Sequence, residues 1–259
     1  MKDPESMRTF KRMELFSSLR IRGTKFIAIR CDGRCFHELT ERLGFSKPYD
    51  LMFARIMVYT VISVMSAWRD TIRIGYTFSD EINYILKEPF PFSGRLEKLI
   101  SLIASTTSSA FTNALMRYLG KTSLVQFDAR IIWLSDLNDV VDYLYSRQRE
   151  AWRNFINSVS YYMLIKKGIA PKDVEAMLRG MSALKRINLL AKYGVDIHSF
   201  PTWMMRGILV HLTCIKKIGF NPITKEQVKT YRRIFKITWS LPSFKSDEGR
   251  ILIRDALNL

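Results

Sequence analysis

The sequence predicts an α+β fold: a ferredoxin-like β-α-β-β-α-β sheet, followed by an appended, mainly helical C-terminal region. Three observations predict it. An apolar run of β-formers near the N-terminus stops at Asp32-Gly33. Two alternating strands flank Ser79-Asp80 and lie between two long apolar helical segments. From Asp136 onward the periodicity becomes helical. These patterns divide the chain at 1–135 and 136–259.

The elements follow in order. Lys25 to Cys31 is a buried strand ending at the Asp-Gly turn signal. Ser46 is the expected cap of the first long helix, with Pro48 and Asp50 in its first turn and Trp68 at its end. Thr71 to Lys87 holds two strands and a tight turn: Ile72, Ile74, Tyr76 and Phe78 alternate before it, and Ile82, Tyr84 and Leu86 after it. Pro89, Pro91 and Gly94 mark a loop, and a helix is expected from Gly94 to about Tyr118. Ser123 to Leu134 is the fourth strand, leaving one sheet face under two helices and the other face open for a ligand.

Beyond this point helices are expected over 136–167, with a break near Gln148, and over 171–180 and 182–193. Met204 to Cys214 reads as a strand with an irregularity at Gly207, and Thr224 to Phe235 as a basic helix.

Composition narrows the partners. A 47% hydrophobic share supports a large core. The 41 basic and 24 acidic residues give a net charge of +17. Residues 1–148 carry 21 basic and 16 acidic residues, net +5; residues 149–259 carry 20 and 8, net +12. The C-terminal part is therefore the expected polyanion-facing part, with nucleic acid ahead of an anionic membrane. Three cysteines without a CxxC pair argue against a disulfide framework and for a reducing, cytoplasmic setting. The three histidines lack zinc-ligand spacing. Residues 1–12 are too polar for a signal peptide, and Leu51–Trp68 carries Arg55, so it reads as a buried helix rather than a membrane span.

Two carboxylates stand out for chemistry. Asp32 ends the first strand and Asp80 sits at the hairpin tip, and in a split βαβ sheet strands 1 and 3 are neighbours. Two close carboxylates repel unless a cation bridges them, and Mg²⁺ takes such ligands together with substrate phosphates. A pair of ions there would clamp both oxygens of a phosphoryl displacement. The competing reading is a pair of ordinary turn aspartates. Arg95 and Lys98, three apart at a helix start, suit a triphosphate or a solvated face, and Lys47 is similar. Arg147, Arg149 and Arg153 interleave with Trp152 and Phe155, which suits either a nucleic-acid end or amphipathic packing.

Taken together, the segments resemble the tRNA-His guanylyltransferase family, the reverse (3′-to-5′) polymerases, on the archaeal and bacterial guanylyltransferase-like branch. The matching pieces are Arg30-Cys-Asp-Gly-Arg-Cys-Phe36, Phe45-Ser-Lys-Pro-Tyr-Asp50, Gly75-Tyr-Thr-Phe-Ser-Asp-Glu81, Gly94-Arg-Leu-Glu-Lys98, Phe127-Asp-Ala-Arg130, Arg147-Gln148 and Pro201-Thr-Trp203. They occur in family order from about Phe26 to His211.

The resemblance implies a polymerase-type palm over 1–135. It implies two Mg²⁺ ions on Asp32, Asp80 and the Gly33 carbonyl, with Ser79 and Glu81 in the catalytic set. It implies ATP and GTP or other nucleoside triphosphates as substrates, cradled by the backbone of Gly33, Arg34, Cys35 and Phe36 and handled by Lys47, Asp50, Arg95 and Lys98. The implied partner is the 5′ end and acceptor stem of a tRNA, met by Arg130, Arg147, Arg149, Arg153, Asn154 and Lys185 on a homodimer or homotetramer. The implied chemistry is activation of a 5′-phosphorylated tRNA with ATP, then attack by the 3′-hydroxyl of an incoming nucleotide.

One departure sharpens the reading. Where enzymes adding guanylate to tRNA-His carry His-Ile-Asn-Asn-Leu-Tyr-Asn, this chain has Trp152-Arg-Asn-Phe-Ile-Asn157. The Glu150-Ala-Trp-Arg-Asn154 form is similar to the branch associated with templated repair of 5′-truncated tRNAs. Templated 5′ addition is the expectation, with strict guanylate addition, a cyclase on the same fold and a non-catalytic RNA-binding protein as alternatives.

Overall fold

The central sheet forms because its inner strands are apolar on both faces. β1 (Phe26–Gly33) and β3 (Glu81–Lys87) are buried along most of their length, as strands covered on both sides must be. The computed structural model describes residues 10, 13–68, 71–220 and 223–258; the signal-peptide reading of residues 1–12 therefore lies outside the described residues, Phe10 apart. Eight helices and six strands are present among the described residues: α1 (Phe36–Leu43), α2 (Leu51–Ala67), β2 (Ile72–Phe78), α3 (Leu96–Leu119), β4 (Phe127–Leu134), α4 (Leu137–Lys166), α5 (Pro171–Leu178), α6 (Ala183–Lys192), α7 (Thr202–Arg206), β5 (Ile208–Phe220), β6 (Gln227–Thr238) and α8 (Asp247–Leu257) complete the set.

The strand order is β4-β1-β3-β2-β5-β6, so the first four strands have the expected ferredoxin-like arrangement. Ile27, Ile29 and Cys31 of β1 pack under α1, α2 and α3, while Phe26 and Ala28 point to the other face. That second face is not open for a ligand, contrary to the expectation from sequence. Val140, Val141 and Leu144 of α4 cover it, with Ile253, Ala256 and Leu257 of α8. One helix among the described residues, α3, is long and apolar enough to cross a membrane, but its stripe Leu99, Ile103, Phe111 and Leu115 lies in the core.

Several boundaries differ from expectation. The cap of α2 is Asp50 rather than Ser46: Asp50 Oδ1 accepts from Met52 N at 2.7 Å and Phe53 N at 3.1 Å, and Oδ2 accepts from Ser46 N at 2.9 Å. A carboxylate at this position also favours the positive helix end. α4 is unbroken at Gln148, whose side chain points out of the helix, donating to the Pro242 carbonyl and accepting from Phe244 N at 3.0 Å each.

The stretch Thr224–Phe235 belongs to a turn and a strand, not a helix. β6 pairs with β5 through twelve residues, Leu209↔Thr238 to Phe220↔Gln227. Its alternating Val228, Thr230 and Arg232 have β character, and this pairing overrides the weak helical pattern. β5 pairs with β2 only from Ile208 to His211, so the segment beyond is a two-stranded ribbon. Leu212 to Phe220 spans about 30 Å at ~3.3 Å per residue. The region after residue 136 thus supplies five helices and also the last two strands of the sheet.

Candidate active site

Asp32 is the penultimate residue of β1, cross-strand from Glu81 of β3 and Asp128 of β4. Gly33 follows because nothing larger fits: a Cβ there would lie 2.4 Å from the Phe36 ring. That ring is held edge-on by Phe111 and Phe127, each at 5.0 Å between centroids, and by Phe53 at 6.3 Å. The chain then turns through Cys35, with φ 58°, into α1, whose first turn has no side-chain cap. The uncapped N–H groups of that turn suit an anion. Arg34 N is not among them, since it donates to the Gln126 carbonyl at 2.9 Å. Arg34 N instead closes the end of the β1–β4 pairing.

Ser79 and Asp80 form the two-residue link between β2 and β3, with Ser79 at φ 48°. The Ser79 hydroxyl donates to Asp80 Oδ1 at 3.0 Å. Burial pushes the Asp80 carboxyl above the usual carboxylate range, and the charge of Asp32 adds to this, whereas hydrogen bonds from its own backbone and Ser79 and the Lys47 ammonium oppose it. The Asp32 charge thus reaches Asp80 across the adjacent strands β1 and β3. Lys47 Nζ sits 2.9 Å from Thr40 Oγ1 on α1.

Lys47, Ser79 and Asp80 line a cavity of about 270 Å³, whereas Asp32 and Gly33 are not part of its wall. Its walls are α1 (Phe36, His37, Thr40), the loop Phe45 to Tyr49, the start of α2 (Asp50, Phe53, Ala54, Met57), the hairpin Thr77 to Asp80, and Trp203, Met204 and Ile208. α4 closes it with Ala151, Asn154, Ser158 and Tyr162. The size is just below the usual range of ligand pockets, about 300–1,000 Å³. Sequence reasoning missed Ser158 and Tyr162. Their signal is the spacing Asn154, Ser158, Tyr162, one helical face at steps of four.

The donor set suits a hard cation. Two carboxylates and the Gly33 carbonyl are all oxygen, and a cation would offset the Asp32 charge felt at Asp80. Among the described residues, no group of three or more His, Cys, Asp or Glu side chains could hold a metal ion, at this end of the sheet or elsewhere.

Other expected residues lie elsewhere. Arg95 and Lys98 begin α3 at the opposite end of the sheet, where Ile21 N donates to the Gly94 carbonyl at 2.8 Å and Leu96 N to the Leu19 carbonyl at 3.2 Å. Thr107 Oγ1, 3.9 Å from Cys31 Sγ, marks the Asp32 level on the same helix. Arg95 is twelve residues before it, about 18 Å along the axis at 1.5 Å per residue. Lys98 lies over the Phe92 ring at 5.5 Å. The structure thus does not bring these two to Asp32 and Asp80 within one chain.

Arg147 is 15% exposed at its side chain and pairs with Glu81 at 3.6 Å, so it does not face solvent like its neighbours. Arg149 and Lys185 are exposed, Arg153 is exposed and paired with Glu150, and Arg130 is exposed 3.6 Å from Asp128. Asn154 faces the cavity, and Trp152 stacks on Phe155 with centroids 5.7 Å apart.

Comparison with known proteins places the sequence and the fold in one family. Residues 5–135 match the profile of the tRNAHis guanylyltransferase family. The chain is 31% identical over 187 residues to the tRNA(His) guanylyltransferase of Schizosaccharomyces pombe, covering 70% of this chain and 71% of that one. It is 28% identical over 190 residues to the probable tRNA(His) guanylyltransferase of Drosophila melanogaster, covering 71% of this chain and 66% of that relative. In fold it is similar to a bacterial tRNA(His) guanylyltransferase-like protein solved in complex with ATP (TM-score 0.72, 21% identity, 98% of this chain and 100% of that one) and with GTP (TM-score 0.66, 19% identity, 97% and 99%). A chain with this profile, this sheet and two aspartates at one end of it belongs to the tRNAHis guanylyltransferase family of nucleotidyltransferases.

Proposed function

We propose that the chain is a template-dependent 3′-to-5′ nucleotidyltransferase that repairs the 5′ end of tRNA. The observation that carries the reading is that Lys47 and Asp80 line one cavity, with Asp32 at the end of the neighbouring strand, cross-strand from Glu81. Bound Mg²⁺ ions, held by Asp32, Asp80 and the Gly33 carbonyl, would offset the charge that develops on the attacking and leaving oxygens. ATP and GTP bound to the bacterial structural neighbour support a nucleoside triphosphate here. The base enters the cavity, while Lys47 and the first-turn amides of α1 hold phosphates.

In the first transfer a 5′-phosphate oxygen of the tRNA attacks the α-phosphorus of ATP, and pyrophosphate leaves. In the second, the 3′-hydroxyl of the incoming nucleotide attacks the tRNA 5′-phosphorus, loses its proton to solvent and expels AMP. Residues 1–135 carry the chemistry in this reading. Residues 136–259 hold the RNA through Arg149, Arg153 and Lys185 and through the basic ribbon, with Arg130 on the catalytic side. Arg95 and Lys98 serve phosphates away from the Asp32 centre, and the working unit is a homodimer or homotetramer in the cytoplasm.

A second reading, strict guanylate addition to tRNA-His, is favoured by the names of the relatives. A 5′-extension assay separates them. With Mg²⁺, ATP and all four nucleotides, a tRNA lacking its first nucleotide should gain the base complementary to position 72. Guanylate added only to full-length tRNA-His would establish the second reading, and no extension of either would favour a non-catalytic RNA-binding protein. Asp80→Ala should lower extension roughly a thousandfold or more, with tRNA affinity preserved; undiminished extension would remove Asp80 from the metal site.

A further inference from the structure

A chain of polar side chains between the sheet and α4 stands outside the cavity. Glu81 opens β3, directly after Asp80 and cross-strand from Asp32. Its side chain turns toward α4: Oε1 accepts from Asn83 Nδ2 at 2.8 Å, and Oε2 lies 3.6 Å from an Arg147 guanidinium nitrogen. Asn83 Oδ1 in turn accepts the Tyr143 hydroxyl at 2.5 Å. Arg147 also lies 3.8 Å from Glu150, and the Glu81 carbonyl accepts the Thr77 hydroxyl at 2.8 Å.

The spacing makes this a two-point grip. Glu81 and Asn83 are two apart, on one face of a strand. Tyr143 and Arg147 are four apart, on one face of a helix. Glu81 and Asn83 are 8% and 0% exposed, so their partners are fixed by the cost of leaving buried polar groups unpaired. The two residues nearest the Ser79–Asp80 turn on this face of β3 are therefore held from α4, not only by sheet hydrogen bonds.

We propose that Tyr143 and Arg147 are positioning residues: acting through Asn83 and Glu81, they fix the Ser79–Asp80 turn against the Asp32 end of β1 and so set the spacing in which the two aspartates receive divalent cations. This rests on the metal-dependent function proposed for the site. Ligand geometry must hold to about 0.5 Å to be productive, and groups behind the ligands supply that constraint. The role also explains why Arg147 is half-buried while Arg149 and Arg153 face solvent.

The test compares Arg147→Met, Arg147→Lys and Tyr143→Phe with the wild type in three measurements. These are the Mg²⁺ dependence of ATP binding by calorimetry without RNA, the tRNA dissociation constant, and the thermal midpoint. Arg147→Met should raise half-saturating Mg²⁺ by about tenfold to a hundredfold and leave tRNA affinity within about twofold, with Arg147→Lys part-way back and Tyr143→Phe smaller in the same direction. The double variant Tyr143→Phe/Arg147→Met should fall short of the product of the singles, because both act through one grip. Loss of tRNA affinity with unchanged Mg²⁺ dependence would overturn the proposal and make Arg147 an RNA-binding residue. A lowered thermal midpoint alone would reduce the grip to packing and also overturn it. Tyr143→Phe removes one hydroxyl and keeps the test decisive if Arg147→Met does not fold. Wild-type ATP binding indifferent to Mg²⁺ would sink the metal reading itself; a wild type that responds and variants that respond identically would sink this inference alone.

Discussion

The centre of the sheet and the β5–β6 ribbon are both antiparallel β structure, yet they are built on opposite terms. β1 and β3 lie between two layers of helices, with Ile27, Ile29, Tyr84 and Ile85 fully buried. The ribbon from Leu212 onward has no third strand. Ile218, Phe220 and Tyr231 are 67%, 63% and 65% exposed, and seven basic residues stand against one acidic residue over 213–236. Its lysines and arginines lie on both faces: Lys216 sits opposite Tyr231, and Lys217 opposite Thr230. A two-stranded ribbon without a packed face is marginal on its own. The difference teaches that burial is deepest in the strands that end at the aspartates, while positive charge is concentrated where a strand has one partner.

This contrast can be broken by substitution. The largest effect should come from the centre. Phe111→Ala removes the ring against which Phe36, Phe53 and Phe127 pack, and should cost about 3–5 kcal/mol in denaturant unfolding. A cost near zero would mean that the aromatic cluster behind Gly33 does not hold the strand end.

Replacing Lys216, Lys217, Lys229 and Arg232 with glutamine should leave folding stability within about 0.5 kcal/mol, since these are exposed sites. It should weaken tRNA binding and flatten its log–log salt slope by roughly 0.7–0.9 for each phosphate no longer neutralised. An unchanged slope would remove the ribbon from the RNA surface.

The smallest effect belongs to the junction. His211 is 5% exposed at the last position where β5 still pairs with β2. Burial lowers its pKa below the ordinary 6.5 and nearby Lys236 adds to this, while the Leu212 carbonyl and Asp255 work the other way. The folded state therefore favours neutral histidine. Its contribution to stability is whole above 6.5 and is lost as pH falls through that value toward the depressed one. Melting at pH 7.5 and 5.5 should show a smaller acid-induced drop in Tm for His211→Gln than for the wild type; equal drops would show that this junction does not sense protonation.

How much was legible in sequence depended on the range of the forces involved. The four strands of the ferredoxin-like unit and the turn at Ser79-Asp80 are written in local alternation and turn chemistry, and the structure places them as read. Asp50 was legible as a first-turn residue but not as the cap, because Ser46 offered the same chemistry four residues earlier and only the backbone path chooses between them. β6 was misread because its basic residues permit a helical pattern, and the partner that makes it a strand lies on β5.

The sequence by itself determined which carboxylates sit at strand ends, where the positive charge lies, and which segments must be buried, because composition and periodicity act over a few residues. Tertiary structure alone decided that α4 covers the second sheet face, that Asn154, Ser158 and Tyr162 meet Lys47 across a cavity, that Arg95 and Lys98 stand at the far end, and that Arg147 turns inward to Glu81. These pairings join residues far apart in the chain, and they follow from how whole faces pack rather than from any local pattern.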